Sequence, residues 1–296
     1  MNKANRALAL GSFDGLHLAH RAVLEGACAF ARAGLSPAVL LFRQHPMALL
    51  RGSAPPRLLE DRVRDETLTG MGLTLLTLDF AECVKSPPEE FFKDTLCGRF
   101  GAAALCCGYD YRFGLDRRGD AALLAALCAH ADVALRVVPE LDYAGEAISS
   151  TRIRAALARG DLHSANAMLG RPFGYCFPVR RGDRLGRSLG AATLNQHFPP
   201  GFAVPRFGVY ASQAFVEGVW RDAVTNIGRR PSFQSDELRS ETHILGFEGD
   251  LYGQEIPVQL LRFLRPERRF QNLEELRAQI FLDKKNARGE TDGEQS

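Results

Sequence analysis

Through residue 141 the chain alternates short apolar runs with helix-length segments, and this rhythm restricts the possible folds more than any other feature. The runs fall at 6–10, 37–42, 73–80, 102–107 and 133–138. Strands separated by segments long enough to cross a sheet predict βαβ units, and these predict a mostly parallel sheet with helices on both faces. Such sheets take ligands at the carboxyl ends of their strands. Within this region Ser86-Pro87-Pro88-Glu89-Glu90-Phe91-Phe92 reads as a helix start, with Ser86 as the cap, prolines at the first positions and carboxylates in the first turn.

The first run leads directly into Leu10-Gly11-Ser12-Phe13-Asp14-Gly15-Leu16-His17-Leu18-Ala19-His20-Arg21. A strand that turns through glycines into a helix offers backbone N–H groups and the positive end of a helix dipole to an anion. His17 and His20 stand three apart at the start of that helix, so both project to one side and would flank a bound phosphate. An HxxH pair alone is equally compatible with packed or surface histidines. At Ile148-Ser149-Ser150-Thr151-Arg152-Ile153-Arg154 two readings stand on the residues alone: hydroxyls and arginines that hold phosphate, or a capped helix with a solvated arginine face.

After Gly170-Arg171-Pro172 the texture changes. Asp161 caps a short helix ending at Leu169, and beyond it β-like runs at 175–180, 207–216, 219–227, 241–247 and 256–264 follow one another without helices. Hairpin joints are expected at Glu217-Gly218 and around Glu248-Gly249-Asp250. Closely spaced strands of this kind predict a small antiparallel barrel or sandwich. An amphipathic helix from Asn272 to Ala287, with Leu273, Leu276, Ile280 and Phe281 as its apolar face, would close it. The expected organisation is α/β: a Rossmann-like domain over 1–170, a β-barrel domain over 171–288 and a disordered tail over 289–296.

Composition excludes little else. With 37 basic and 35 acidic residues the net charge is +2, so neither nucleic acid nor an anionic membrane is called for as a partner. The seven cysteines form no CxxC pair and lie mostly in apolar segments, which suits a reduced cytoplasm. The apolar run before Asp14 is too short for a signal peptide or a spanning helix.

Several ordered motifs resemble those of one family. Gly11-Ser-Phe-Asp-Gly-Leu-His-Leu-Ala-His20 resembles GxFDGxHxGH, Phe42-Arg-Gln-His45-Pro46 resembles FxPHP, Gly108-Tyr-Asp-Tyr-Arg-Phe-Gly114 resembles GxDFRFG, and Ser149 to Arg154 reads SSTRIR. Further on, Gly186-Arg-Ser-Leu-Gly190 through Thr193 and Asn195 resembles GRxLGFPTAN. Asn226 to Phe233 resembles NIGxRPTF, and Glu241-Thr-His243 with Gly249-Asp-Leu-Tyr-Gly253 resembles ExH followed by GDLYG. Together they resemble the bacterial bifunctional riboflavin kinase/FMN adenylyltransferase (FAD synthetase) family over nearly the whole chain.

The resemblance implies two reactions, with ATP as co-substrate, Mg²⁺ as cofactor, and riboflavin, FMN and FAD as ligands. For adenylation of FMN it implies His17 and His20 as catalytic donors, and Gly11, Phe13, Asp14, Gly15, Ser149, Ser150, Thr151 and Arg152 around the nucleotide phosphates. His45, Asp110, Tyr111 and Arg112 would line the ATP or flavin pocket. For riboflavin phosphorylation it implies Glu241 as base and Thr193 and Asn195 on the metal. Gly182, Gly186, Arg187, Gly190, Asn226 and Arg265 would then bind ATP or flavin. The alternation of Ser240 to Leu245 puts Glu241 and His243 on one strand face and Thr242 and Ile244 on the other.

The chain departs from the family pattern at Ala19, Gln44 and Ala191-Ala192, the last replacing Phe-Pro. Ala19 is expected to adjust ATP binding rather than abolish it. Two alternative readings are a monofunctional adenylyltransferase with a degenerate flavin-binding barrel, and a non-catalytic flavin- or RNA-binding regulator. The expected protein is a cytoplasmic monomer or weak homo-oligomer.

Overall fold

The structure, a computed structural model, describes residues 5–181, 193–231, 236–268 and 270–287. Gly182, Gly186, Arg187, Gly190, Ala191, Ala192 and the tail 289–296 lie outside the described residues. Two compact units divide the chain at Ser150 and Thr151.

In the first unit, β1 (Arg6–Leu10), β2 (Ser36–Phe42), β3 (Thr74–Leu78), β4 (Ala102–Gly108) and β5 (Ala134–Val138) form one sheet in the order β3-β2-β1-β4-β5. Every pair in it is parallel. The expected apolar runs therefore become the strands, shifted at their ends by a residue or two. They run apolar on both sides because both faces are covered. Leu8, Leu10, Ala38, Leu40, Leu105 and Cys107 pack on one face with Phe91, Phe92, Leu96 and Leu124. Ala9, Val39, Leu41 and Cys106 pack on the other with Val23, Leu24, Ala27 and Leu68. Those partners come from α1 (Leu18–Ala29), α3 (Asp61–Gly70), the helical segment Phe91–Arg99 and α6 (Ala121–His130), with short helices α2 (Pro46–Arg51), α4 (Phe80–Cys83) and α5 (Pro88–Glu90) between them. The strand order reverses between β1 and β4, which opens the ligand crevice of such sheets at the end of β1.

Ser86 is not a helix cap. The helix starts one residue later than expected, with Pro87 at the capping position and no side-chain cap, and the Ser86 carbonyl instead accepts the N–H of Leu115 at 2.8 Å. Proline lacks the donor a cap would satisfy, so a serine cap is dispensable there. Phe91–Arg99 then winds as a π-helix. A two-stranded ribbon, β6 (Asp142–Tyr143) and β7 (Glu146–Ala147), precedes α7 (Ser150–Arg159).

The second unit holds most of α7, then α8 (Leu162–Leu169), capped by Asp161 through the N–H of Ser164 and ended by a left-handed Gly170, as expected. Six antiparallel strands follow: β8 (Phe173–Pro178), β9 (Thr193–His197), β10 (Gly208–Val216), β11 (Val219–Pro231), β12 (Asp236–Ile244) and β13 (Glu255–Arg265). Their order is β8-β13-β10-β11-β12-β9. The sheet curls until its edges approach: the Arg180 N–H donates to the Asn195 carbonyl at 2.7 Å, and Gln196 Nε2 donates to the Phe177 and Ile256 carbonyls. The result is a half-barrel whose edges are joined by one bridge.

Its β10–β11 hairpin turns at Glu217-Gly218, both with positive φ, as expected. The joint expected around Glu248-Gly249-Asp250 is not a hairpin, because β12 and β13 are not neighbours. The connecting loop carries its own apolar anchors, Phe247 and Leu251, which let it run as a packed crossover. β9, which is not among the β-like runs expected from the sequence, takes the free edge of β12.

Helix α9 (Leu273–Ala287) packs on β10 and β11 and is capped by Asn272, whose Oδ1 accepts the Glu275 N–H at 2.8 Å. Phe281 is not on its packed face, being 72% exposed. The buried position is Asp283, at 4% exposure the only buried carboxylate among the described residues. The helix is thus turned toward the sheet by an ion pair as well as by apolar contact.

Candidate active sites

The loop between β1 and α1 is under backbone strain. Phe13, Gly15 and Leu16 all have positive φ (51°, 80° and 47°), and such conformations cost roughly 1–3 kcal/mol each for residues with a side chain. Three contacts hold it. Asp14 Oδ1 accepts the Leu58 N–H at 2.9 Å, and Ser150 Oγ donates to the Asp14 carbonyl at 3.0 Å. Gly15 sits so close to Leu58 that a Cβ would lie 2.9 Å from the Leu58 Cβ. The Phe13 ring is fully buried beneath Gly11, leaving 3.1 Å to a Cβ built there. Asp14 therefore orients the loop, and Leu58, which no motif singled out, is its anchor.

His17 caps α1. Its Nδ1 accepts the His20 N–H at 3.3 Å, which leaves Nε2 of this buried ring to carry the proton. The His17 and His20 rings stack with centroids 3.6 Å apart. Burial, with a smaller contribution from His17, holds the His20 pKa well below the usual histidine value. The His20 ring is thus neutral at pH 7 rather than a cation. His45 repeats the device at the end of β2: it caps α2 with Nδ1, accepting the Met47 N–H at 3.2 Å.

The loop after β4 is only partly a binding loop. Asp110 is exposed, but Tyr111 stacks on Phe113 with centroids 5.7 Å apart and packs against the core. Arg112 pairs with Asp120 at 3.1 Å, and Asp120 also caps α6. Ser149 is half-buried, Thr151 exposed and Arg152 half-buried, the last two belonging to the second unit.

In that second unit the strand register makes a row. Glu241 stands directly opposite Asn226 on one side and Asn195 on the other, with His243 opposite Thr193 one step along. Residues so paired have Cβ atoms about 4.5–5.5 Å apart. Thr193, Asn195, Asn226, Glu241 and His243 share the outer face, while Thr242 and Ile244 are fully buried inside, as the alternation predicts. The inner face carries a chain of hydroxyls instead: Ser212 to Thr225 at 2.7 Å and Thr225 to Thr242 at 2.8 Å. Burial pushes the His243 pKa down to about 4, with Lys284 of α9 adding to the effect.

Arg265 does not join this row. Its Nε and Nη2 bind Asp283 at 2.9 and 2.7 Å, and its Nη1 donates to the Pro266 carbonyl at 3.2 Å. Two of its donors thus fix α9, because a buried carboxylate requires a partner, and two N–H groups of the guanidinium have no partner among these bonds.

A doubly wound sheet with a strained glycine loop at its switch point is a nucleotide-binding unit, and the curled sheet beside it in sequence carries a separate polar row suited to group transfer. Comparison with known proteins narrows both. An FAD synthetase family model matches residues 1–152 and a riboflavin kinase family model matches residues 169–290. The bifunctional riboflavin kinase/FMN adenylyltransferase of Escherichia coli (strain K12) is 35% identical over 291 residues, covering 95% of this chain and 91% of that protein. The protein of the same description from Listeria monocytogenes is 32% identical over 292 residues, covering 96% and 92%. A crystal structure described as a macrolide-efflux protein from Streptococcus pneumoniae superposes with a TM-score of 0.87 at 28% identity, covering 97% of this chain and 95% of that one. The chain belongs to the bifunctional riboflavin kinase/FMN adenylyltransferase family. No helix among the described residues is long and apolar enough to cross a membrane.

Proposed function

We propose that this protein makes FAD from riboflavin in two ATP-dependent steps, phosphorylation in a kinase half over 171–288 and adenylation in a half over 1–170. In the first step the 5′-hydroxyl of riboflavin attacks the γ-phosphorus of ATP, its proton passes to Glu241, and ADP leaves with FMN as product. A neutral alcohol benefits from a base, which the carboxylate supplies. In the second step a phosphate oxygen of FMN attacks the α-phosphorus of ATP and pyrophosphate leaves. That nucleophile is already an anion, so the protein needs only to align it and to stabilise charge on the transferring oxygens.

What carries the reading is the row Asn195–Glu241–Asn226, which sets a base between polar neighbours on one sheet face. For adenylation the support is the strained loop at the end of β1, with the stacked His17 and His20 rings at the start of the helix that follows it. Gly11, Phe13, Asp14 and Gly15 shape that loop, and Ser149, Ser150, Thr151 and Arg152 receive the leaving pyrophosphate. His45 and Asp110 line the pocket.

Thr193 and Asn195 offer a hydroxyl and an amide oxygen from one face, a hard donor pair that fits Mg²⁺ completed by phosphate and water oxygens. Bound there, the ion neutralises charge on the ATP phosphates. The same reading has the protein working in the cytoplasm as a monomer or weak homo-oligomer, without nucleic acid or membrane partners.

The test is product analysis with riboflavin or FMN, ATP and Mg²⁺. Glu241→Gln should abolish FMN formation and spare FAD formation from supplied FMN, and His20→Ala should do the reverse. Variants that leave both rates near wild type would remove these roles.

A further inference from the structure

Glu267, in the turn between β13 and α9, is bound up with the kinase row although no motif directed attention to it. Its Oε1 accepts a hydrogen bond from Asn226 Nδ2 at 3.4 Å. The same carboxylate lies against Gly228, where an added Cβ would stand 2.1 Å from Oε1 and 2.8 Å from Oε2. Gly228 has no positive φ, so what it supplies is room for that carboxylate. The preceding Arg265 is fastened to Asp283, which holds the turn from its other side.

The consequence falls on Asn226. Donating Nδ2 to Glu267 decides which way the amide faces, because its oxygen and nitrogen lie on opposite sides of the group. Asn226 Oδ1 is then a buried acceptor without a partner among the described residues. A buried polar atom left without a partner costs free energy, and a ligand donor would recover it. Asn226 flanks Glu241 on the side away from Asn195. With nucleotide and metal on the Asn195 side, the body of the alcohol substrate belongs on the Asn226 side.

We propose that Glu267 is a positioning residue for the kinase reaction: it orients Asn226 so that Oδ1 accepts a hydrogen bond from a hydroxyl of the riboflavin polyol chain. This rests on Glu241 being the base of that reaction.

The experiment uses the full-length protein and measures KM for riboflavin and for ATP, kcat of FMN formation, and FAD formation from supplied FMN as an internal control. Glu267→Ala should raise the riboflavin KM roughly tenfold, the loss of one substrate hydrogen bond, and leave the ATP KM within about twofold. A loss of folded protein lowers kcat without moving KM, so the split separates positioning from stability. Gly228→Ala should reproduce the effect by displacing the carboxylate, and Glu267→Gln should retain near wild-type KM. Asn226→Asp sets two carboxylates together and should be the most impaired. Glu267→Gln added to it should restore riboflavin binding, since the glutamine amide can donate to the aspartate.

The proposal is overturned if Glu267→Ala and Gly228→Ala leave the riboflavin KM unchanged, if the ATP KM moves instead, or if the double substitution gives no rescue. Glu241→Gln is measured alongside. If it abolishes FMN formation while Glu267→Ala changes nothing, the inference about Glu267 fails alone. If it leaves FMN formation intact, the reading of the row fails and the inference falls with it.

Discussion

Replacing Asp283 is the most direct probe of how the second unit is held together. Its carboxylate is 5% exposed and takes two hydrogen bonds from Arg265 and one from Gln279 at 2.8 Å. Asp283→Ala would leave a guanidinium facing the covered side of α9 without its counter-charge. Breaking a fully buried pair costs about 3–5 kcal/mol. The Arg265 side chain keeps 20% exposure, and water recovers part of that, so the lower end, about 3 kcal/mol, is expected. For a folding unit of this size that corresponds to a fall in Tm of roughly 6–12 °C. Urea denaturation and calorimetry on the full chain measure it. A double variant, Arg265→Met with Asp283→Leu, should return to within about 1.5 kcal/mol of wild type, because apolar replacement removes the desolvation cost along with the attraction. That double variant should also keep its KM for ATP. The reasoning is wrong if Asp283→Ala costs less than about 1 kcal/mol, or if the double variant is as unstable as the single one.

Three further outcomes follow from the geometry. His243 has a folded-state pKa of about 4 against an unfolded value of 6.5, so below pH 6.5 the unfolded chain gains a proton the folded chain does not. Stability is therefore lost as pH falls from about 6.5 to about 4, and since His243 is only half-buried and partly screened by water, His243→Gln should lose roughly 1–2 kcal/mol less than wild type between pH 7 and pH 4.5 in denaturant titrations. An equal loss in both proteins would refute the assignment. Gly15→Ala must place a Cβ against Leu58 at a φ of +80°, and should cut FAD formation from supplied FMN roughly five- to thirtyfold, the equivalent of about 1–2 kcal/mol of strain, while leaving riboflavin phosphorylation alone. Burial pushes the thiols of Cys83, Cys106 and Cys128 up to about 11 and that of Cys107 to about 12. Iodoacetamide at pH 8 should thus label these four only after unfolding, and rapid native labelling read by mass spectrometry would contradict the burial argument.

Much of this protein is local in its coding. The five strands of the first unit, the helix starting after His17, the Asp161 and Asn272 caps and the Glu217-Gly218 turn all follow from residues within a few positions of one another. Periodicity, capping and turn chemistry act over that range. The same locality put Glu241 and His243 on one face before any tertiary contact was considered. Ser86 and Phe281 departed from expectation for different reasons: a neighbouring proline changed the capping position, and an ion pair at Asp283, which apolar periodicity does not mark, helps to fix how α9 packs.

What tertiary structure alone decided is which distant residues meet. Nothing near Asp14 points to Leu58, yet the Leu58 N–H fixes the loop between β1 and α1. The crossover between β12 and β13 depends on strand order, and pairing across a sheet is settled by burial of whole faces rather than by the loop that joins two strands. Arg265 reads as a ligand-binding cation in sequence and becomes the partner of Asp283 because a buried carboxylate eighteen residues on requires one. Glu267 gains its place beside Asn226 and Gly228 only when the end of β13 is brought back over β11. The sequence by itself determined the two kinds of unit, their local elements and the family they belong to. Long-range packing determined which side chains in those units hold the candidate catalytic groups in place, since desolvation and cross-strand contact depend on neighbours that chain order does not reveal.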